Sequence, residues 1–167
     1  WDDDLQCWTG PFIMAGINTR VVRRTNALLG EQYGNDFSYR EVMTFPKGWK
    51  GRARAEAMRV GLGAFVGMVA LGPTRSLLKK TVLPAPGEGP TKEERESGYF
   101  NITFIGKGKK PSGESFEVKG HVYGDKDPGY AGTARMLAEA ALCLALNRDD
   151  LPANYGILTP ASAMGGV

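Results

Sequence analysis

The sequence predicts an α+β fold, mostly antiparallel sheet packed with helices, on three observations. Apolar and polar residues alternate over 37–45, 99–105 and 116–123, the period of a strand with one covered face. Apolar residues recur at helical spacing over 12–29 and 52–71. Around Asp127-Pro128 a strand gives way to a long Ala- and Leu-rich run reaching Leu146.

That last junction organises the reading. Asp127 can accept an N–H of a first helical turn, and Pro128 suits the first helical position because its missing donor is not needed there. The helix is therefore expected to begin at Asp127-Pro128. Met136, Leu137, Ala140, Ala141 and Leu144 form one stripe, and Leu142, Cys143, Ala145 and Leu146 carry the apolar surface most of the way round. Such a helix is expected to be buried on several sides.

Taken in order, Thr9-Gly10-Pro11 reads as a helix start, 12–29 as its body and Gly30 as its stop. Ile13, Ile17, Val21 and Leu28 mark the expected core face. At 100° per residue, Arg20, Arg23 and Arg24 fall within an arc of about 100° on an adjacent face. The plainer reading is a solvated or salt-bridged surface; the functional one is an anion clamp, since guanidinium forks match phosphate and carboxylate. The strand over 37–45 puts Phe37, Tyr39, Met43 and Phe45 on one face, interrupted by Glu41.

The helix over 52–71 is charged in its first half and wholly apolar over 60–71. Gly61-Leu62-Gly63-Ala64-Phe65-Val66-Gly67 has GxGxxxG spacing inside a helical pattern, which is not the strand-to-helix context of a dinucleotide loop. Gly63 and Gly67 also form a GxxxG pair, yet 12 apolar residues make only about 18 Å of helix, short of a membrane span. Core or interface packing is expected, with membrane contact as the alternative. The loop over 83–90 is rich in Pro and Gly and reads as a surface excursion, followed by the solvated 91–95. Strands 99–105 and 116–123 are expected to pair as an antiparallel hairpin with a long, basic, flexible tip at 106–113.

Composition narrows the function. With 42% hydrophobic and 23% charged residues, the 167-residue chain reads as one globular domain over 1–167. A net charge of +3 without a basic block argues against nucleic acid. Cys7 and Cys143 form no CxxC pair, and no signal peptide opens the sequence, so a reducing, cytoplasmic setting is expected, with membrane association as the alternative. His121 is the single histidine, which excludes a His-rich metal site; its position beside Glu117, Lys119 and Tyr123 reads as a sheet-face residue. No metal site is expected. The start at Trp1 without Met, and the end at Val167 just after the helix-start signal Thr159-Pro160-Ala161-Ser162, suggest an excised domain.

Three stretches carry a resemblance. Gly10-Pro11-Phe12-Ile13-Met14-Ala15-Gly16-Ile17-Asn18-Thr19-Arg20-Val21-Val22-Arg23-Arg24-Thr25-Asn26, then Asp127-Pro128-Gly129-Tyr130 with Thr133-Ala134-Arg135-Met136, then Gly156-Ile157-Leu158-Thr159-Pro160-Ala161-Ser162-Ala163-Met164 resemble the C-terminal part of the saccharopine dehydrogenase-like oxidoreductases, the broad family that includes mycobacterial trans-acting enoyl reductases. The resemblance implies an NAD(P)-dependent oxidoreductase whose N-terminal Rossmann domain is a missing partner in cis, so this fragment holds no cofactor and is inactive alone. Its role would be substrate binding and assembly, with a small-molecule or lipid-like substrate and a homo-oligomer formed through exposed strands. No catalytic residue carries over. Substrate-binding candidates are Arg20, Arg23 and Arg24, with Asp127, Gly129, Tyr130 and Thr133 around the helix start, where a carboxylate or a nicotinamide edge could be held. The alternative is a non-catalytic module docking on a lipid membrane or a protein through 60–71.

Overall fold

The computed structural model describes residues 1–152 and 155–166; Val167, the last residue of the sequence, lies outside them. It is α+β, with six α-helices and two two-stranded antiparallel sheets among the described residues. The chain divides into two compact units, Trp1–Pro86 with Pro152–Gly166, and Gly87–Leu151. The division falls inside the Pro- and Gly-rich loop over 83–90.

In the first unit, β1 (Trp8–Pro11) pairs antiparallel with β2 (Val42–Phe45), Gly10 opposite Met43 and Pro11 opposite Val42. Pro11 thus ends a strand and does not start a helix, a place where its missing N–H is tolerated. Helix α1 (Ala15–Leu28) begins later than expected. Its predicted stop is present: Gly30 has φ 67°, Glu31 N–H donates to Asn26 O at 2.8 Å and Gly30 N–H to Ala27 O at 3.2 Å, the two bonds that close a helix through a left-handed glycine. The expected core stripe is corrected, since Ile13, Ile17 and Val21 are exposed and the buried residues of α1 are Thr25 and Asn26.

Helix α2 (Trp49–Ala70) packs on β1 where small residues permit close approach. A Cβ on Gly10 would lie 3.1 Å from the Phe45 ring and 3.4 Å from Ala55 O, and Ala55 is buried. At Gly51 a Cβ would collide with the Pro46 carbonyl, so the first turn of α2 rests against the chain that enters it. Helix α3 (Gly72–Thr81) follows after a bend of 109°. Helix α6 (Pro160–Met164) lies beside α1, opened by a capping box between Thr159 and Ser162. The helix-start signal at 159–162 therefore has its helix.

In the second unit, α4 (Lys92–Ser97) is opened by Thr91 and Glu94 in a reciprocal capping box. The Thr91 N–H and hydroxyl both donate to the Glu94 carboxylate, holding its pKa below the ordinary glutamate value. Strands β3 (Phe100–Lys109) and β4 (Ser115–Gly124) form the expected hairpin, but they extend to Lys109 and from Ser115, so the tip is Lys110 to Glu114 and 106–109 is strand. The register explains the extension. Val118 stands opposite Gly106, Phe116 opposite Gly108 and Phe100 opposite Gly124, and each large side chain lies over the glycine facing it.

Helix α5 (Ala131–Leu146) starts after Tyr130, not at Asp127-Pro128. Its expected burial on several sides is also corrected: Gly132 is its buried residue, and Leu137 is 70% exposed. Helical period sets which residues share a face, not whether anything covers that face.

Candidate functional site

The seven sequence-predicted site residues fall into two clusters, one in each unit. Arg20, Arg23 and Arg24 are exposed on α1. Arg24 is already committed, its guanidinium donating to the Ile157 carbonyl at 3.0 Å, which ties α1 to the segment before α6. Arg20 and Arg23 are left as the exposed cations of the arc, so the three-pronged clamp reduces to two.

Beneath Arg24 lies a hydroxyl cluster that the sequence reading missed. Thr25 Oγ1 is 2.9 Å from the Val21 carbonyl and 2.7 Å from Thr159 Oγ1, and Ser162 Oγ is 3.0 Å from Thr159 Oγ1, N and O. One proton arrangement satisfies the threonines. Thr25 has a single hydroxyl hydrogen and gives it to Val21, so Thr159 must donate to Thr25, and Ser162 donates back to Thr159 while accepting its N–H. All three residues are buried, Ser162 at 1% exposure. The sequence signal was available in the two threonines and the serine of the resembling stretches, but spacing alone does not bring 25 next to 159.

A second missed group joins α1 to the chain entering β2. Glu41 accepts from Asn18 Nδ2 at 2.9 Å through one oxygen and from the Tyr39 hydroxyl at 2.9 Å through the other. Burial first, then the hydrogen bond and charge of Glu41, push the Tyr39 phenol up to about 12. Such a phenol donates a hydrogen bond but is too weak an acid to exchange protons near neutrality. The signal was Glu41 itself, the polar residue interrupting an otherwise apolar face.

In the second unit Asp127, Gly129, Tyr130 and Thr133 do come together, with most of their polar groups already engaged. Asp127 Oδ2 accepts the Tyr130 N–H at 2.7 Å, Asp127 O accepts the Gly132 N–H at 2.7 Å, and Asp127 N–H donates to Arg95 O at 3.1 Å. Asp127 therefore closes the turn before α5 and is not the helix cap expected of it: the N-cap position is Tyr130, and no side chain caps it. Gly129 lies beside it, a Cβ there falling 3.5 Å from its carboxylate. The Thr133 hydroxyl donates to Pro128 O at 2.5 Å, a scaffold bond. Tyr130 is exposed, its ring facing Gly89.

The glycine run 61–67 does not fit a dinucleotide. It lies inside α2, where backbone N–H groups are used along the helix, so none converges on a phosphate as at a strand-to-helix turn. Among the described residues no group of three or more His, Cys, Asp or Glu could hold a metal. His121 stands opposite Thr103 on the polar face of the hairpin, as its alternation indicates. Cys7 and Cys143 are free thiols.

Comparison with known proteins gives the chain relatives. It is 36% identical over 166 residues to the trans-acting enoyl reductase of Mycobacterium ulcerans and 37% identical over 165 residues to that of Mycobacterium bovis. A Mycobacterium tuberculosis protein with the same name, given provisionally, is 39% identical over 166 residues. Each match covers 95% of this chain and 37% of the relative, so the chain spans little more than a third of the proteins it resembles. No family model matches. No solved structure matches. The resemblance to saccharopine dehydrogenase-like oxidoreductases is therefore corrected: the relatives carry the name trans-acting enoyl reductase.

Proposed function

We propose that this chain is the substrate-binding and assembly portion of an enoyl-reductase-related oxidoreductase, and that a Rossmann-type domain elsewhere in the parent protein holds its nicotinamide cofactor. The observation that carries the reading is the 36–39% identity along 95% of the chain to proteins named trans-acting enoyl reductase. Two features support the division of labour. The one glycine-rich run is helical and unsuited to a pyrophosphate. The apolar faces of α5 and of the β3–β4 hairpin are exposed, as expected of surfaces that meet another domain or subunit. Arg20 and Arg23 in the first unit, and separately Tyr130 in the second, are the side chains offered to a substrate anion or carbonyl.

The test uses the 167-residue chain and the full-length parent side by side. The parent is expected to oxidise a reduced nicotinamide in the presence of an enoyl substrate, followed at 340 nm, and the chain alone to show neither turnover nor nucleotide binding by calorimetry. A low-micromolar dissociation constant for NADH or NADPH on the isolated chain overturns the division of labour. A parent that binds nucleotide yet leaves enoyl substrates unreduced overturns the activity.

A further inference from the structure

From the elbow between α2 and α3 we infer a second property, independent of the proposed catalysis: this elbow docks on an anionic lipid surface. Residues 60–74 carry no charged side chain, and no Asp or Glu occurs from 57 to 87. Cations flank the uncharged stretch on both sides, Arg59 before it and Arg75, Lys79 and Lys80 after it. Among the described residues no carboxylate forms an ion pair with Arg75, Lys79 or Lys80, while Arg59 is held by Glu56 at 2.6 Å.

The geometry leaves this stretch uncovered. Val66 is 58% exposed, Leu71 at the bend 62% and Leu77 on α3 61%. A Cβ on Gly61, Gly63, Gly67 or Gly72 would meet nothing within 4 Å, so the GxxxG pair is not a packing seam here and the expectation of core packing for 60–71 is corrected. No single helix among the described residues is long and apolar enough to cross a membrane. The bend of 109° between α2 and α3 instead makes a short apolar apex. Arg75 and Lys79, four residues apart, lie on one face of α3. An uncharged apex entering the acyl boundary, with cations left at headgroup level, is how an interfacial helix binds. A protein partner would need carboxylates to meet those cations around a flat apolar centre, whereas an anionic bilayer supplies both at once.

Flotation of the 167-residue chain with vesicles of equal parts phosphatidylglycerol and phosphatidylcholine tests the inference. The chain is expected to float with these and not with pure phosphatidylcholine. Lys79→Gln with Lys80→Gln should lower the partition coefficient about 30-fold, from ~1 kcal/mol per cation. Val66→Glu with Leu77→Glu should abolish flotation while circular dichroism keeps its helical signal. If that apolar pair fails to fold, the lysine pair, which leaves the apex intact, carries the test. No flotation, equal flotation with neutral vesicles, or unchanged flotation of the lysine pair overturns the inference. So does a concentration-dependent dimer lost in the apolar variant while vesicle binding persists, because the surface then belongs to a second copy.

Discussion

Ser162→Ala is expected to be the most damaging single-atom deletion in the first unit. Its oxygen accepts the Thr159 N–H at 3.0 Å and donates to Thr159 O at 3.0 Å, in a residue 1% exposed. Alanine leaves the Thr159 N–H buried without that acceptor, which costs ~1–3 kcal/mol, and loses half of the capping box, so about 2 kcal/mol is expected. For a chain of this length that is a fall of roughly 4–8 °C in Tm. Trp1, Trp8 and Trp49 all lie in the first unit, so tryptophan fluorescence in urea reports its unfolding alone. Thr25→Ala should cost about 1 kcal/mol and Thr25→Ser, which keeps the hydroxyl, less than half of that. Because Thr25 and Ser162 both bond to Thr159, the one at its hydroxyl and the other at its backbone, the double variant should fall short of or exceed the sum by at least ~0.5 kcal/mol. Strict additivity, or a Ser162→Ala midpoint equal to that of the unaltered chain, refutes the proton arrangement.

Other perturbations separate the remaining claims. Asp2 is buried, and hydrogen bonds from the Leu5 N–H, then from Arg40 at 2.6 Å, hold its pKa below the ordinary carboxylate value against the opposing effect of burial. A depressed folded pKa stabilises above the unfolded value near 4 and loses that contribution as pH falls through the folded value; Trp1 and Trp8 fluorescence should therefore change below about pH 4, and Asp2→Asn should remove the change. Gly63→Ala, with open space around it, should raise stability by ~0.5–1 kcal/mol in a urea melt, whereas Gly51→Ala, whose Cβ meets the Pro46 backbone, should destabilise the same unit. Spectrophotometric titration of Tyr39, isolated by difference against Tyr39→Phe, should show ionisation at about 12, and Glu41→Gln should lower it while burial keeps it above an ordinary tyrosine.

The hairpin was legible because period-two alternation survives in both strands, but its length was not. Glycine is depleted from strands, so the reading stopped at Ile105. Gly106 and Gly108 are strand residues because Val118 and Phe116 cover them from across the ladder, a pairing that spacing does not reveal. Pro11 misled in the same way, as one residue type serves both a helix start and a strand end. The helix expected over 52–71 is present as one body, α2 ending at Ala70; what the apolar run masks is the separate helix α3 beyond it, opened at Gly72-Pro73. Fold class depended on period and could be read. Burial depended on what stands opposite each face, which is why α1, α2 and α5 were all assigned more cover than they have.

The candidate site shows the same limit in chemical form. A sequence supplies groups with a capacity to bind, and the nearest hydrogen-bond partner decides whether that capacity is spent on the fold. Arg24 and Thr133 had the same standing in the sequence as Arg23 and Tyr130, yet Arg24 closes on Ile157 O and Thr133 on Pro128 O. Replacing Arg24 removes a bond between α1 and the segment before α6, and replacing Thr133 removes one between the first turn of α5 and the turn before it, so loss of activity in such a variant would be confounded with loss of structure. Arg20, Arg23 and Tyr130 are exposed, and exposed side chains alter stability little when replaced. A turnover defect in Arg23→Gln or Tyr130→Phe of the parent, with Tm unchanged, would therefore speak for contact with substrate, whereas the same defect in Arg24→Gln or Thr133→Val would not.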